Sequence, residues 1–257
     1  MWRRIRIAIL LVVLAVVAGQ AWLDRQRTTS WEHTVWVGAF PLSADGSETS
    51  TAYLATLSDA DLQPVAEFIA REARRYGIGI DEPVNLRLYP APASGPPELA
   101  PQANLLERVI WSLRLRHYRS AALEPIRRAR PGIALFLLYH DPARATVLPH
   151  SVGLQRGLTG VVHLFAARSQ AAQNDIVIAH ELLHTFGASD KYDLASDAPR
   201  YPEGFAEPAR EPRFPQRYAE IMAGRVPLGP TRQVMPDDLS QVRIGPATAR
   251  EIGWSRP

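Results

Sequence analysis

Cysteine is absent from this 257-residue chain. No disulfide can therefore staple the fold, and no thiolate-rich metal site can form. A body of about 230 residues needs neither, because a chain of that size buries an ample core. Lysine is nearly absent too, with Lys191 alone among 29 basic residues. An excess of one charge is also missing over most of the length. Arg3, Arg4 and Arg6 account for the whole formal +3, and the rest of the chain balances 26 basic against 26 acidic residues. No basic run interleaved with aromatics occurs, so nucleic acid is not an expected partner. No internal repeat is visible.

What the N-terminus does have is an apolar run from Ile7 to Ala18, extended by Gly19 to Leu23, behind a basic start. Such a segment is either a cleaved signal peptide or a single membrane anchor. Gly19-Gln20-Ala21 offers small residues for cleavage, whereas Trp22 suits the membrane boundary of a retained helix. The retained anchor is the favoured reading. Either way the arginines stay inside and the bulk of the chain is exported. The expected organisation is an anchor at residues 1–23, a linker at 24–33 and one domain at 34–257.

Within that domain, Thr34 to Phe40 reads as a strand, followed by a loop from Ser43 to Ser50. Asp59 to Tyr76 reads as a helix capped by Ser58 or Asp59, with Leu62, Val65, Ala66, Ile69 and Ala73 on one face. Val84 to Tyr89 alternates like a strand, and Pro90 to Pro97 is a stiff loop. Gln102 to Tyr118 is a second helix, its apolar residues being Leu105, Leu106, Val109, Ile110 and Leu113. Gly132 to Tyr139 is the most apolar run and the expected central strand. Thr159 to Ala166 is a further strand. A short helix at Ala247 to Ile252 packs Trp254 against the body. The fold class is α+β, with a mixed sheet, an active-site helix and a short C-terminal subdomain.

One segment carries chemistry: His180-Glu181-Leu182-Leu183-His184-Thr185-Phe186-Gly187-Ala188-Ser189-Asp190. Ala171 to Ala179 reads as the first turns of the same helix, with Ile176, Ala179, Leu183 and Phe186 at helical spacing; Asn174 or Asp175 is the cap if the helix starts later. Histidines four apart lie about 40° apart around a helix axis, so both imidazoles can reach one metal ion. Zinc suits that pair, and Glu181 stands where a carboxylate takes a proton from zinc-bound water. Gly187 falls where helices end in the left-handed conformation. The turn there brings Asp190 back as a third ligand.

His180-Glu181-x-x-His184-x-x-Gly187-x-x-Asp190 resembles the metzincin metallopeptidases, whose third ligand is commonly histidine. The aspartate variant is similar to that of the small bacterial snapalysin-type enzymes. Ala219 to Gly224, centred on Met222, matches the family's methionine turn. The resemblance covers roughly Asp175 to Gly224. It implies a zincin-like fold and a zinc-dependent endopeptidase acting on peptide or protein substrates. It also implies a methionine floor beneath the metal and a cleft-bordering strand at Thr159 to Ala166, along whose edge the substrate pairs. Together with the anchor, it places the catalytic domain on the outer, periplasmic side of a bacterial cytoplasmic membrane. It leaves the oligomeric state open.

Alternatives stand beside this reading. A glutamate about 20 residues after the second histidine completes other zincin sites, and Glu203 and Glu207 lie near that distance. Pro199, Pro202, Pro208, Pro212 and Pro215 argue against the helix that such a glutamate needs. Tyr192 is a candidate oxyanion donor and Tyr218 a weaker one. Asp193 either supports a ligand histidine or, as favoured, pairs with Lys191 in solvent. His140, His150 and His163 read as structural. From another functional class, the alternative is an inactive, anchored zinc-binding scaffold or sensor.

Overall fold

The computed structural model describes residues 2, 5–7, 19 and 29–255, apart from 101 and 156. The expected anchor at 1–23 and the start of the linker lie outside the described residues, those few positions excepted. Among the described residues no helix is long and apolar enough to cross a membrane.

A five-stranded sheet organises the chain. Its strands are β1 (Val35–Ser43), β2 (Val84–Leu88), β3 (Ile133–His140), β4 (Val152–Leu154) and β5 (Thr159–Phe165), in the order β2-β1-β3-β5-β4. The first four in that order are parallel, and β4 alone runs antiparallel, against β5. Parallel strands covered on both faces read as continuous apolar runs. β3 is therefore central, as its composition predicts. Ile133, Leu135 and Leu137 enter one core with Val37, Ala39, Val162 and Leu164, while Ala134 and Phe136 enter a second with Phe40 and Leu42.

Three longer helices cover the sheet. α2 (Gln63–Arg75) and α4 (Ala171–Thr185) pack on the first core, and α3 (Leu105–Leu123) on the second. A short α1 (Glu48–Leu54) takes over the last three residues of the loop expected at Ser43 to Ser50. Ser47 nucleates it by accepting the Ser50 N–H. On α2 the expected face is buried, and a 3-10 turn (Asp59–Leu62) precedes it. On α3 the expectation meets a correction of a different kind. Its buried contacts are Trp111, Leu115 and Leu123, whereas Leu105, Leu106, Val109, Ile110 and Leu113 all face outward.

After α4 the chain forms small pairs rather than a second sheet. β6 (Ala219–Glu220) runs parallel to β9 (Val242–Arg243), and β7 (Val226–Pro227) antiparallel to β8 (Gln233–Val234). α5 (Pro246–Glu251) closes the chain, as expected. Trp31, placed in the linker by sequence, belongs to the body. Its indole donates to the Ile252 carbonyl at 2.6 Å and packs edge-on against Phe186 and Trp254. Glu72, fully buried on α2, ties the C-terminal segment down through Arg75, Arg243 and the Ile244 N–H.

Burial predicts unequal costs of truncation, Phe136 being wholly buried and Leu106 exposed. Phe136→Ala should lower unfolding free energy by about 3–5 kcal/mol, and Leu106→Ala by no more than about 0.5 kcal/mol. Urea denaturation measures both, and a large loss from Leu106→Ala would place that face inside the fold.

Candidate metal centre

α4 presents the site because its other face is locked. Ile176, Ala179, Leu183 and Phe186 are buried, as their spacing predicts. Asn174 does not cap the helix. It lies within it, and its amide both donates to and accepts from the backbone of Phe165, which fastens α4 to the end of β5. Neither does Asp175, which lies in the second turn of a helix that begins at Ala171. The other end closes as expected. Gly187 adopts φ +102°, its N–H bonds to the His184 carbonyl, and the Ala188 N–H reaches back to Leu183. Those two bonds are a Schellman ending, which turns the chain toward the histidines.

The imidazoles of His180 and His184 bring their Nε2 atoms to 3.1 Å. Each Nδ1 contacts a backbone carbonyl, His180 that of Ile221 at 3.0 Å and His184 that of Ala188 at 2.8 Å. A carbonyl only accepts, so each Nδ1 carries the proton and each Nε2 turns its lone pair inward. Asp190 Oδ1 lies 3.2 Å from both Nε2 atoms. With both imidazoles neutral, as ligation of a metal requires, the three atoms are all acceptors facing one another. Glu181 joins from the side: ligand atoms of His180, Glu181 and His184 all lie within 4.8 Å, and this group could hold a metal ion. Asp190 Oδ1 and Glu181 Oε2 are buried without a hydrogen-bond partner.

The electrostatics agree with a cage that draws in positive charge. Burial alone would lower His180, but Asp190, Glu181 and the Ile221 carbonyl push it up to about 9. Burial would raise Asp190, yet the two imidazoles hold it well below the usual carboxylate range. Burial pushes Glu181 up, offset in part by the histidines.

The remaining candidates separate clearly. Tyr192 is half-buried, and its hydroxyl is pushed up by burial and by the nearby Asp190 and Glu181 charges. Tyr218 lies under the Arg243 guanidinium at 4.1 Å. Glu203 is exposed, and neither it nor Glu207 belongs to the metal-capable group found among the described residues. Asp193 does not pair with Lys191. It accepts from Ala195 and Ser196, whereas Lys191 is buried and spends its three donors on Ser189 and Glu251. His140 and His163 pair with each other at 2.9 Å.

Several supporting groups escape the sequence reading. Glu220, fully buried, gathers the Met222 N–H, the Gly245 N–H and the Thr248 hydroxyl. It thereby shapes the 220–224 turn that offers Ile221 to His180. The Lys191 N–H bonds to the Met222 carbonyl at 2.9 Å, joining that turn to the Asp190 loop. The edge strand beside α4 is β4 and not Thr159 to Phe165, which is flanked by β3 and β4; β2 forms the other edge. β4 touches α4 at Gly153, whose N–H donates to Glu181.

A Cβ at Gly153 would stand 2.3 Å from the Glu181 carbonyl oxygen and 2.6 Å from His184 Cβ. Gly153→Ala should therefore destabilise by about 1–3 kcal/mol, as overpacking does. Gly132→Ala, whose nearest neighbour would be 3.7 Å away, should be better tolerated. Thermal unfolding compares them, and equal stability would show that β4 does not press on the helix. No protein-family model matches the chain and no curated protein matches it.

Proposed function

We propose that the chain is a zinc-dependent endopeptidase of the metzincin kind, with His180, His184 and Asp190 as ligands and Glu181 as general base. The observation that carries the reading is the triangle of inward-facing acceptors with a buried carboxylate beside it. A tetrahedral zinc with bonds of about 2.0–2.1 Å has ligand-to-ligand edges of about 3.3–3.4 Å. The three edges here are 3.1, 3.2 and 3.2 Å. Two neutral imidazoles and one carboxylate suit zinc, whereas calcium and magnesium favour oxygen alone. Three protein ligands also leave a coordination position open, as catalytic sites require.

Zinc held there would supply Lewis acidity, bringing the pKa of water near neutrality and stabilising an oxyanion. The protein's own groups do the rest. Glu181 has one buried oxygen without a partner, free to take a proton from the attacking water. The burial that raises its proton affinity also suits it to deliver that proton to the leaving amine. Tyr192 keeps its proton at neutral pH and is the proposed second oxyanion donor. Met222, completely buried in the turn that supports His180, is the proposed apolar floor. An extended peptide would add to the free edge of β4, the usual way for a sheet to hold one.

The N-terminal segment, basic and then apolar, supports a single-pass anchor with the domain outside a bacterial cytoplasmic membrane. Peptide or protein substrates of the envelope follow from that placement. Glu181→Gln in the full chain should cut peptide hydrolysis by about 10²–10⁴-fold while metal content is unchanged. Near-normal hydrolysis by that variant would refute the mechanism. A metal-loaded wild type that cleaves no peptide in a broad library would favour the scaffold reading.

A further inference from the structure

The outward face of α3 has no partner within the fold. Leu105, Leu106, Val109, Ile110 and Leu113 are between 41% and 79% exposed, although they lie on one stripe. At about 100° per residue these five span about 140° of the helix surface. Trp111, Leu115, Tyr118 and Ala122, which pack on the sheet, cluster on the opposite side. The helix is thus apolar on two faces, and only one of them meets the core.

Charge identifies what the second face meets. Between Leu105 and Arg130 seven arginines stand against two glutamates, whereas the rest of the chain beyond its first six residues has 19 basic against 24 acidic residues. Arg108 and Arg114 flank the stripe on its two sides, and the exposed Arg127, Arg128 and Arg130 follow the helix. A basic amphipathic helix of this kind lies in the interface of an anionic bilayer. A second copy fits less well, because apposed stripes would bring their arginines together. The tether sets only the distance. About seven residues separate the expected anchor from Trp31, a reach of about 25 Å when extended, and Trp31 packs in the first core, so the charge and apolarity of α3 decide which face turns to the surface.

We propose that the exposed face of α3 docks on the anionic lipid surface to which the N-terminal segment tethers the domain. α3 and α4 cover opposite faces of the sheet. Docking through α3 therefore turns the metal-site helix away from the lipid. The inference rests on the anchor reading for proximity and is independent of the metal.

The lack of cysteine makes the test direct. Leu106→Cys introduces a single thiol, which takes an environment-sensitive fluorophore. The labelled full chain is reconstituted into phosphatidylcholine vesicles with and without phosphatidylglycerol, and vesicle flotation is measured on the same samples. Docking predicts a blue-shifted emission, quenched by brominated lipid, in anionic vesicles only. High salt should reverse it, and Arg114→Glu, Arg127→Glu and Arg128→Glu should each lower the docked-to-undocked ratio by at least about fivefold. A label that stays in water on floated protein overturns docking and leaves the anchor standing. Protein that does not float removes the anchor and the docking together. A blue shift before vesicles are added also overturns the proposal. It assigns the face to a second copy if the shift grows with concentration, and to the chain's own apolar segment if it does not.

Discussion

Two backbone carbonyls set the orientation of the candidate metal centre on which the proposed function depends. Ile221 and Ala188 each accept from the Nδ1 of one histidine, and that leaves both Nε2 lone pairs aimed at the Asp190 carboxylate. Buried acceptors without a donor or cation are costly. The fold nevertheless holds them together from three directions. α4 fixes the histidines, its Schellman ending returns the chain at Asp190, and the 220–224 turn supplies the carbonyl for His180. Behind that turn stands Glu220, and behind the Asp190 loop stands the buried Lys191, paired at 2.7 Å with the partly exposed Glu251. Removing Glu251 would leave the Lys191 charge buried without its counter-ion, which gives the loop little freedom to relax.

The legible parts of the fold are those whose pattern is long and local. α4 repeats its apolar positions over about three turns and ends at a left-handed glycine, so its core-facing side and its ending follow from sequence. β3 is apolar throughout because both faces are covered. β4 escapes because three residues are too few to show alternation, and its pairing with β5 is a tertiary fact. α1 escapes because seven residues headed by serines read as loop until Ser47 is seen to cap them. At the site, the ligand spacing is written in the sequence, but the carbonyls that orient the ligands are not, since every residue has one.

α3 shows a different limit of pattern reading. Its stripe of leucine, isoleucine and valine is more obvious than the Trp111 and Leu115 side that meets the sheet. Periodicity reports that a face is apolar and leaves its partner undefined. Burial separates the two faces, and the surrounding arginines give the outer one its proposed meaning. The sheet then divides the domain into a lipid-directed side at α3 and a chemical side at α4.

The central claim is that three acceptors at 3.1–3.2 Å form one zinc site. Elemental analysis of the purified full chain, alongside Asp190→Ala, tests it most directly. The account predicts one zinc per chain, lost or much weakened in the variant. Stoichiometric zinc that survives Asp190→Ala would contradict the assignment of the third ligand, and no zinc after reconstitution would contradict the site itself.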